Sequence, residues 1–176
     1  MTDILLRLKS WQLFLLLLIS YFLPSGYVFE RVANLLFIGI YLGWIYSVGF
    51  VMHSLLPDKR KPGITYFKIS CLFIIVLFIT LSFTGGYTIN QDNYKEYGNS
   101  IWFLVPLILY TIWSMLYMFM FAAQMLESMI EGRLVLRSDS LKGFFGFWFF
   151  PFGVWYIQPA VQRVLDAYAV DKVMKS

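Results

Sequence analysis

Two stretches of this chain are too long and too apolar to be covered by anything except lipid. Val32 to Leu56 and Ile101 to Leu126 each run without a single Asp, Glu, Lys or Arg. About 20 apolar residues in a helix, at 1.5 Å per residue, already cross the ~30 Å hydrocarbon core of a bilayer. The rest of the chain fits that solvent: it is 60% hydrophobic and 14% charged, where a soluble domain carries about 25% charged residues. With 176 residues there is room for one membrane domain.

Four segments qualify as membrane helices, at about 4–23, 32–56, 64–84 and 101–126. The first has Arg7, Lys9 and Trp11 near its start, residues that reach back to an interface. It resembles a signal peptide in composition, but its exit, Tyr21 to Gly26, lacks a small-x-small cleavage site, so an uncleaved helix is expected. Pro24, Ser25 and Gly26 then turn the chain. In the second segment Gly39, Gly43 and Ser47 recur every fourth residue and form the small-residue strip that lets another helix approach closely. Pro57 to Gly63 is a polar, basic turn. Lys68 lies one turn into the third segment, and Pro106 lies near the start of the fourth.

The block from Phe144 to Pro159, FFGFWFFPFGVWYIQP, decides where the C-terminus lies. With the N-terminus inside and four crossings, all of the 14 Lys and Arg residues except Arg31 and Lys95 fall inside, as the positive-inside rule requires. A fifth crossing through the block moves Arg163, Lys172 and Lys175 outside and weakens that bias. As a helix the block is only ~24 Å long, and Pro151 interrupts it. It is therefore expected to be an interfacial or re-entrant element on the inner face. Beyond it, Val161, Val164, Leu165 and Tyr168 oppose Gln162, Arg163, Asp166 and Asp171, which predicts a short amphipathic helix with Pro159 in its first turn. The expected fold is an all-α integral membrane bundle, with residues 1–143 as a four-helix domain and residues 144–176 packed upon it.

The C-terminal third joins Phe121 to Glu131, FAAQMLESMIE, to the aromatic core Pro151-x-Gly153-x-Trp155-x-x-Gln158-Pro159. This pattern resembles small, uncharacterised four-helix membrane proteins of bacteria, over about 40 residues on the length scale of a helical hairpin. Where the similar block continues with Arg after Gln-Pro, this chain has Ala160. The resemblance implies an architecture and a bacterial origin. It implies no activity.

Chemistry-bearing constellations are sparse. One His and one Cys make no zinc pattern, and no metal or cofactor is expected. Met115, Met118, Met125 and Met129 form a stripe that reads as gap-filling between helices rather than as a thioether copper site. Cys71 reads as a small buried hydrophobe. His53 near Asp58 has the elements of an oriented general base, with Glu127 and Glu131 as further weak catalytic candidates; a boundary histidine with a local hydrogen bond is the plainer reading. Arg133, Arg137 and Lys142, with Trp148, Trp155 and Tyr156, are candidates for contact with lipid headgroups at the interface. The basic balance serves topology, and no nucleic-acid partner is expected.

These features predict a non-catalytic accessory or interaction subunit of an inner-membrane complex. Its partners would be the bilayer and another membrane protein or a second copy of itself. Two alternatives stay open. One is an interfacial enzyme acting on a lipid or isoprenoid substrate. The other is a sensor of a lipid or small molecule.

Overall fold

The computed structural model describes residues 2–18, 27–57, 61–84, 101–150 and 152–174. Among them it contains helices and no strand. Their order is α1 (Thr2–Arg7), α2 (Ser10–Leu18), α3 (Tyr27–Leu55), α4 (Thr65–Thr84), α5 (Ile101–Glu131), a short 3-10 turn (Arg137–Ser140), α6 (Leu141–Trp148) and α7 (Phe152–Met174).

Among the described residues three helices are long and apolar enough to cross a membrane: α3, α4 and α5, over Arg31–Leu55, Thr65–Phe83 and Leu104–Glu131. They pack against one another, and Phe67, Ile74, Met118 and Phe121 are among their buried side chains. Aromatic stacking joins all three helices, because Phe67 of α4 stacks on both Tyr46 of α3 and Phe121 of α5. Gly49 allows this: a Cβ there would stand 2.5 Å from the Phe67 ring. Pro106 lies inside α5, five residues from its start, where it gives up the i to i−4 hydrogen bond to the Trp102 carbonyl.

The first segment departs from expectation. Within residues 2–18 the expected helix is interrupted at Leu8 and Lys9, between α1 and α2; the remainder of that expected helix, 19–23, and the expected turn at Pro24, Ser25 and Gly26 lie outside the described residues. No proline or glycine stands at the interruption; the carbonyls it frees are taken up by Gln158 and Gln162, far along the chain.

Helix α5 runs past the expected end at Leu126 to Glu131. It stops at Gly132, whose φ of 65° is the left-handed conformation that ends helices cheaply only at glycine. The chain is then clasped back onto the helix it has just left. Gln124 Nε2 donates to the Val135 carbonyl at 2.8 Å, and the Val135 N–H donates to Ser128 Oγ at 3.1 Å. Ser128 Oγ in turn donates to the Gln124 carbonyl. Val135 is thereby buried and the chain is aimed back along α5.

From there α6 and α7 form a helical hairpin. The expected amphipathic helix starting at Pro159 is corrected: α7 begins at Phe152, and Pro159 lies inside it. The two arms touch through glycine. A Cβ on Gly153 would coincide with the Gly146 carbonyl, and one on Gly146 would come within 2.9 Å of Ile157. Gly143 lets α6 approach α5, since a Cβ there would lie 3.0 Å from that of Ala123. The hairpin leans against α3 as well: Phe150 packs on Phe37 with ring centroids 5.5 Å apart. Phe37 lies about 27 Å along α3 from its end at Leu55, at 1.5 Å per residue.

Candidate functional site

The most connected polar site lies where the interrupted N-terminal segment meets the hairpin. Its centre is Gln158 of α7, which is fully buried. Gln158 Oε1 accepts the indole N–H of Trp44 at 2.8 Å. Gln158 Nε2 faces the carbonyls of Leu5, Leu6 and Leu8 at 3.1, 3.0 and 2.7 Å. Gln162, one turn further along α7, also donates to the Leu8 carbonyl, at 2.7 Å.

Chemistry fixes the orientation of the carboxamide. An indole nitrogen only donates and a backbone carbonyl only accepts, so the amide oxygen must face Trp44 and the NH₂ must face α1. The same bonds explain the interruption of the N-terminal segment. Carbonyls at the end of a helix have no partner within it, and leaving them bare in an apolar setting is expensive. Gln158 and Gln162 supply those partners. On the far side of the break the Lys9 N–H donates to Gln12 Oε1 at 2.9 Å, which caps the start of α2.

A second tie holds the other arm. The Tyr41 hydroxyl donates to the Phe147 carbonyl. Trp44 also packs on Phe147, with centroids 5.3 Å apart. About two turns of α3, from Phe37 to Trp44, therefore hold the tip of the hairpin, its first arm and its second arm. On the opposite flank Phe14 of α2 meets Trp155 at 6.1 Å.

The residues singled out from sequence fall in several places. Gly43 meets Leu5 at an ordinary 3.5 Å, Ser47 is buried with its hydroxyl donating to the Gly43 carbonyl, and Gly39 faces open space. His53 Nε2 donates to the Pro62 carbonyl at 2.8 Å, and its ring lies 5.9 Å from that of Phe121. Asp58 lies outside the described residues. Glu127 is beside Gly143 and interacts electrostatically with Glu131 and Lys142. Glu131 pairs with Arg133 at 2.7 Å. Arg137 lies over the Tyr117 ring at 5.1 Å. Trp148, Trp155 and Tyr156 are exposed on the hairpin.

Two open grooves adjoin the hairpin. One, of about 420 Å³, lies between the end of α5 and the second half of α7. The other, of about 580 Å³, lies along the α6–α7 crossing, with Lys142, Phe145, Phe149, Phe152 and Tyr156 among its walls. His53, Glu127 and Glu131 line neither. No group of three or more His, Cys, Asp or Glu side chains capable of holding a metal occurs among the described residues.

Sequence reasoning passed over Gln158, Gln162, Trp44 and the three hairpin glycines as site residues. Gln158 carried a signal: it is the first polar side chain after the apolar run Phe144 to Ile157, where an amide must find internal partners.

The fold and this site define an all-helical membrane protein whose buried polar groups tie backbone to backbone. Comparison with known protein families, characterised proteins and solved structures returns no match to this chain.

Proposed function

We propose that this chain is a non-catalytic interaction subunit of a bacterial inner-membrane complex, with both termini inside and the α6–α7 hairpin as its docking element. In this reading α3, α4 and α5 cross the bilayer and the interrupted α1–α2 segment makes a fourth, broken crossing. The hairpin enters from the inner face and returns to it.

The observation that carries the reading is the two-sidedness of the hairpin. One side is fastened to α3 and α5 through Tyr41, Trp44, Phe37 and Ala123. The other presents Phe145, Phe149, Phe152 and Tyr156, with Phe152 81% exposed. A re-entrant turn keeps non-helical backbone at membrane depth, and such backbone persists where protein covers it. The uncovered aromatic side is the place for that protein. The charge distribution supports the orientation, since the flanks of the hairpin carry Arg133, Arg137, Lys142 and Arg163. Against a catalytic role, His53, Gln124, Ser128 and Gln158 are each committed to backbone groups.

The test is a photo-reactive residue in place of Phe152, activated in native membranes. A discrete protein adduct, either a second copy or another chain, is the expected result. Adducts to lipid alone would overturn the proposal.

A further inference from the structure

The groove between α5 and α7 has the form of a lipid site. Its floor comes from one face of α7: Ala160, Val164 and Ala167, spaced at four and three residues, with Arg163 and Tyr168 on the same wall. Met129 and Ile130, the last apolar residues of α5, close the other side. The groove opens because α5 ends at Gly132 while α7 continues to Met174, and because two alanines on α7 leave its floor low.

The charges single out Arg163. Arg133 is held by Glu131, Arg137 lies over Tyr117, and Lys142 has Glu127 as an electrostatic neighbour. Arg163 makes no ion pair among the described residues, although Asp166 stands on the same helix. An unpaired guanidinium at the mouth of an apolar trough attracts a group that is anionic at one end and aliphatic at the other. A planar guanidinium also matches a phosphate oxygen pair better than an ammonium does. The rim tyrosine suits the same depth, with an apolar ring and a polar tip.

We propose that this groove binds one anionic phospholipid, with its headgroup phosphate on Arg163 and an acyl chain along Ala160, Val164 and Ala167 against Met129 and Ile130. The volume, about 420 Å³, is within the range of small-ligand sites. This site is independent of whether a protein covers the hairpin.

The test is native mass spectrometry of the full chain in detergent, with phosphatidylglycerol or phosphatidylethanolamine of matched acyl chains added. The expected result is retention of one phosphatidylglycerol with about fivefold preference, the size of one basic residue's contribution at a membrane surface. Arg163→Gln brings the preference close to unity, and Arg163→Lys keeps part of it. Ala167→Trp, which fills the floor and leaves the charge, reduces retention of both lipids. Equal retention of the two lipids by the unaltered protein would overturn the proposal, as would an unchanged preference in Arg163→Gln. Displacement of the lipid by inorganic phosphate alone would also overturn it, since the site would then be one for a free anion.

Discussion

Gln158 and Trp44 are 114 residues apart in sequence and joined by a 2.8 Å hydrogen bond inside the protein. The bond fixes which way the Gln158 amide points, and so places its NH₂ on the last carbonyls of α1. Three parts of the chain meet on one side chain: the hairpin, the longest-buried stretch of α3 and the interrupted N-terminal segment.

Replacing Gln158 with Leu keeps the size and removes both halves of that exchange. The Trp44 N–H and the α1 carbonyls lose their partner, and each buried unsatisfied group costs about 1–3 kcal/mol. The expected outcome is a clear drop in the thermal midpoint in detergent and faster proteolysis within residues 2–18. Trp44→Phe, which retains a ring and removes one donor, has the smaller effect, and the double substitution falls short of the sum.

Gln158→Glu gives a pH-dependent version of the same experiment. A carboxylate still accepts from Trp44 but sets negative charge against the carbonyls of Leu5, Leu6 and Leu8. Protonation restores one donor. The variant is therefore expected to be less stable than the unaltered protein at pH 8 and to recover part of the loss at pH 5, as read by thermal unfolding at both values. Equal losses at the two would show that the amide nitrogen does not matter.

The glycines separate into two groups. Gly153→Ala places a methyl group on the Gly146 carbonyl, where neither backbone can move without parting the hairpin, and accumulation of folded protein is expected to fail. Gly39→Ala meets open space and stays within about 0.5 kcal/mol of the unaltered chain. Size-exclusion profiles and thermal midpoints distinguish the two. A tolerated Gly153→Ala would contradict the packing of α6 on α7.

Ser128→Ala removes the acceptor for the Val135 N–H and a donor to the Gln124 carbonyl. A loss of about 1–3 kcal/mol follows from the stranded amide, with increased hydrogen exchange confined to the turn from Gly132 to Leu136. Uniform loosening of the whole protein would argue against a local clasp.

The long helices were legible because apolar length is a property of consecutive residues: nothing in 32–56 or 101–126 can face water. A helix interruption within residues 144–159 was legible through Pro151: α6 ends at Trp148 and α7 begins at Phe152. The break at Leu8 and Lys9 was not. Its cause is an amide about 150 residues later, and the local sequence carries no glycine or proline to mark it. The periodic strip Gly39, Gly43 and Ser47 reports which face of α3 is smooth, but Gly39 meets open space while Gly43 meets Leu5 and Ser47 is buried. The closest backbone approach uses Gly146 and Gly153, which stand on different helices and therefore show no period. Pro159 suggested a helix start because proline favours first turns, whereas the aromatic run before it is itself helical and places the proline inside.

Cysteine labelling decides the central claim, that the hairpin leaves and re-enters the same side of the membrane. In a Cys71→Ser chain, single cysteines at Ser138 and at Ala169, which flank the hairpin and are exposed, are treated with a membrane-impermeant maleimide in intact spheroplasts and in inverted vesicles. The account predicts that both are protected in spheroplasts and both react in inverted vesicles. Reaction of Ala169→Cys in spheroplasts with Ser138→Cys protected would mean that the chain crosses the membrane once between these two positions, and would contradict it.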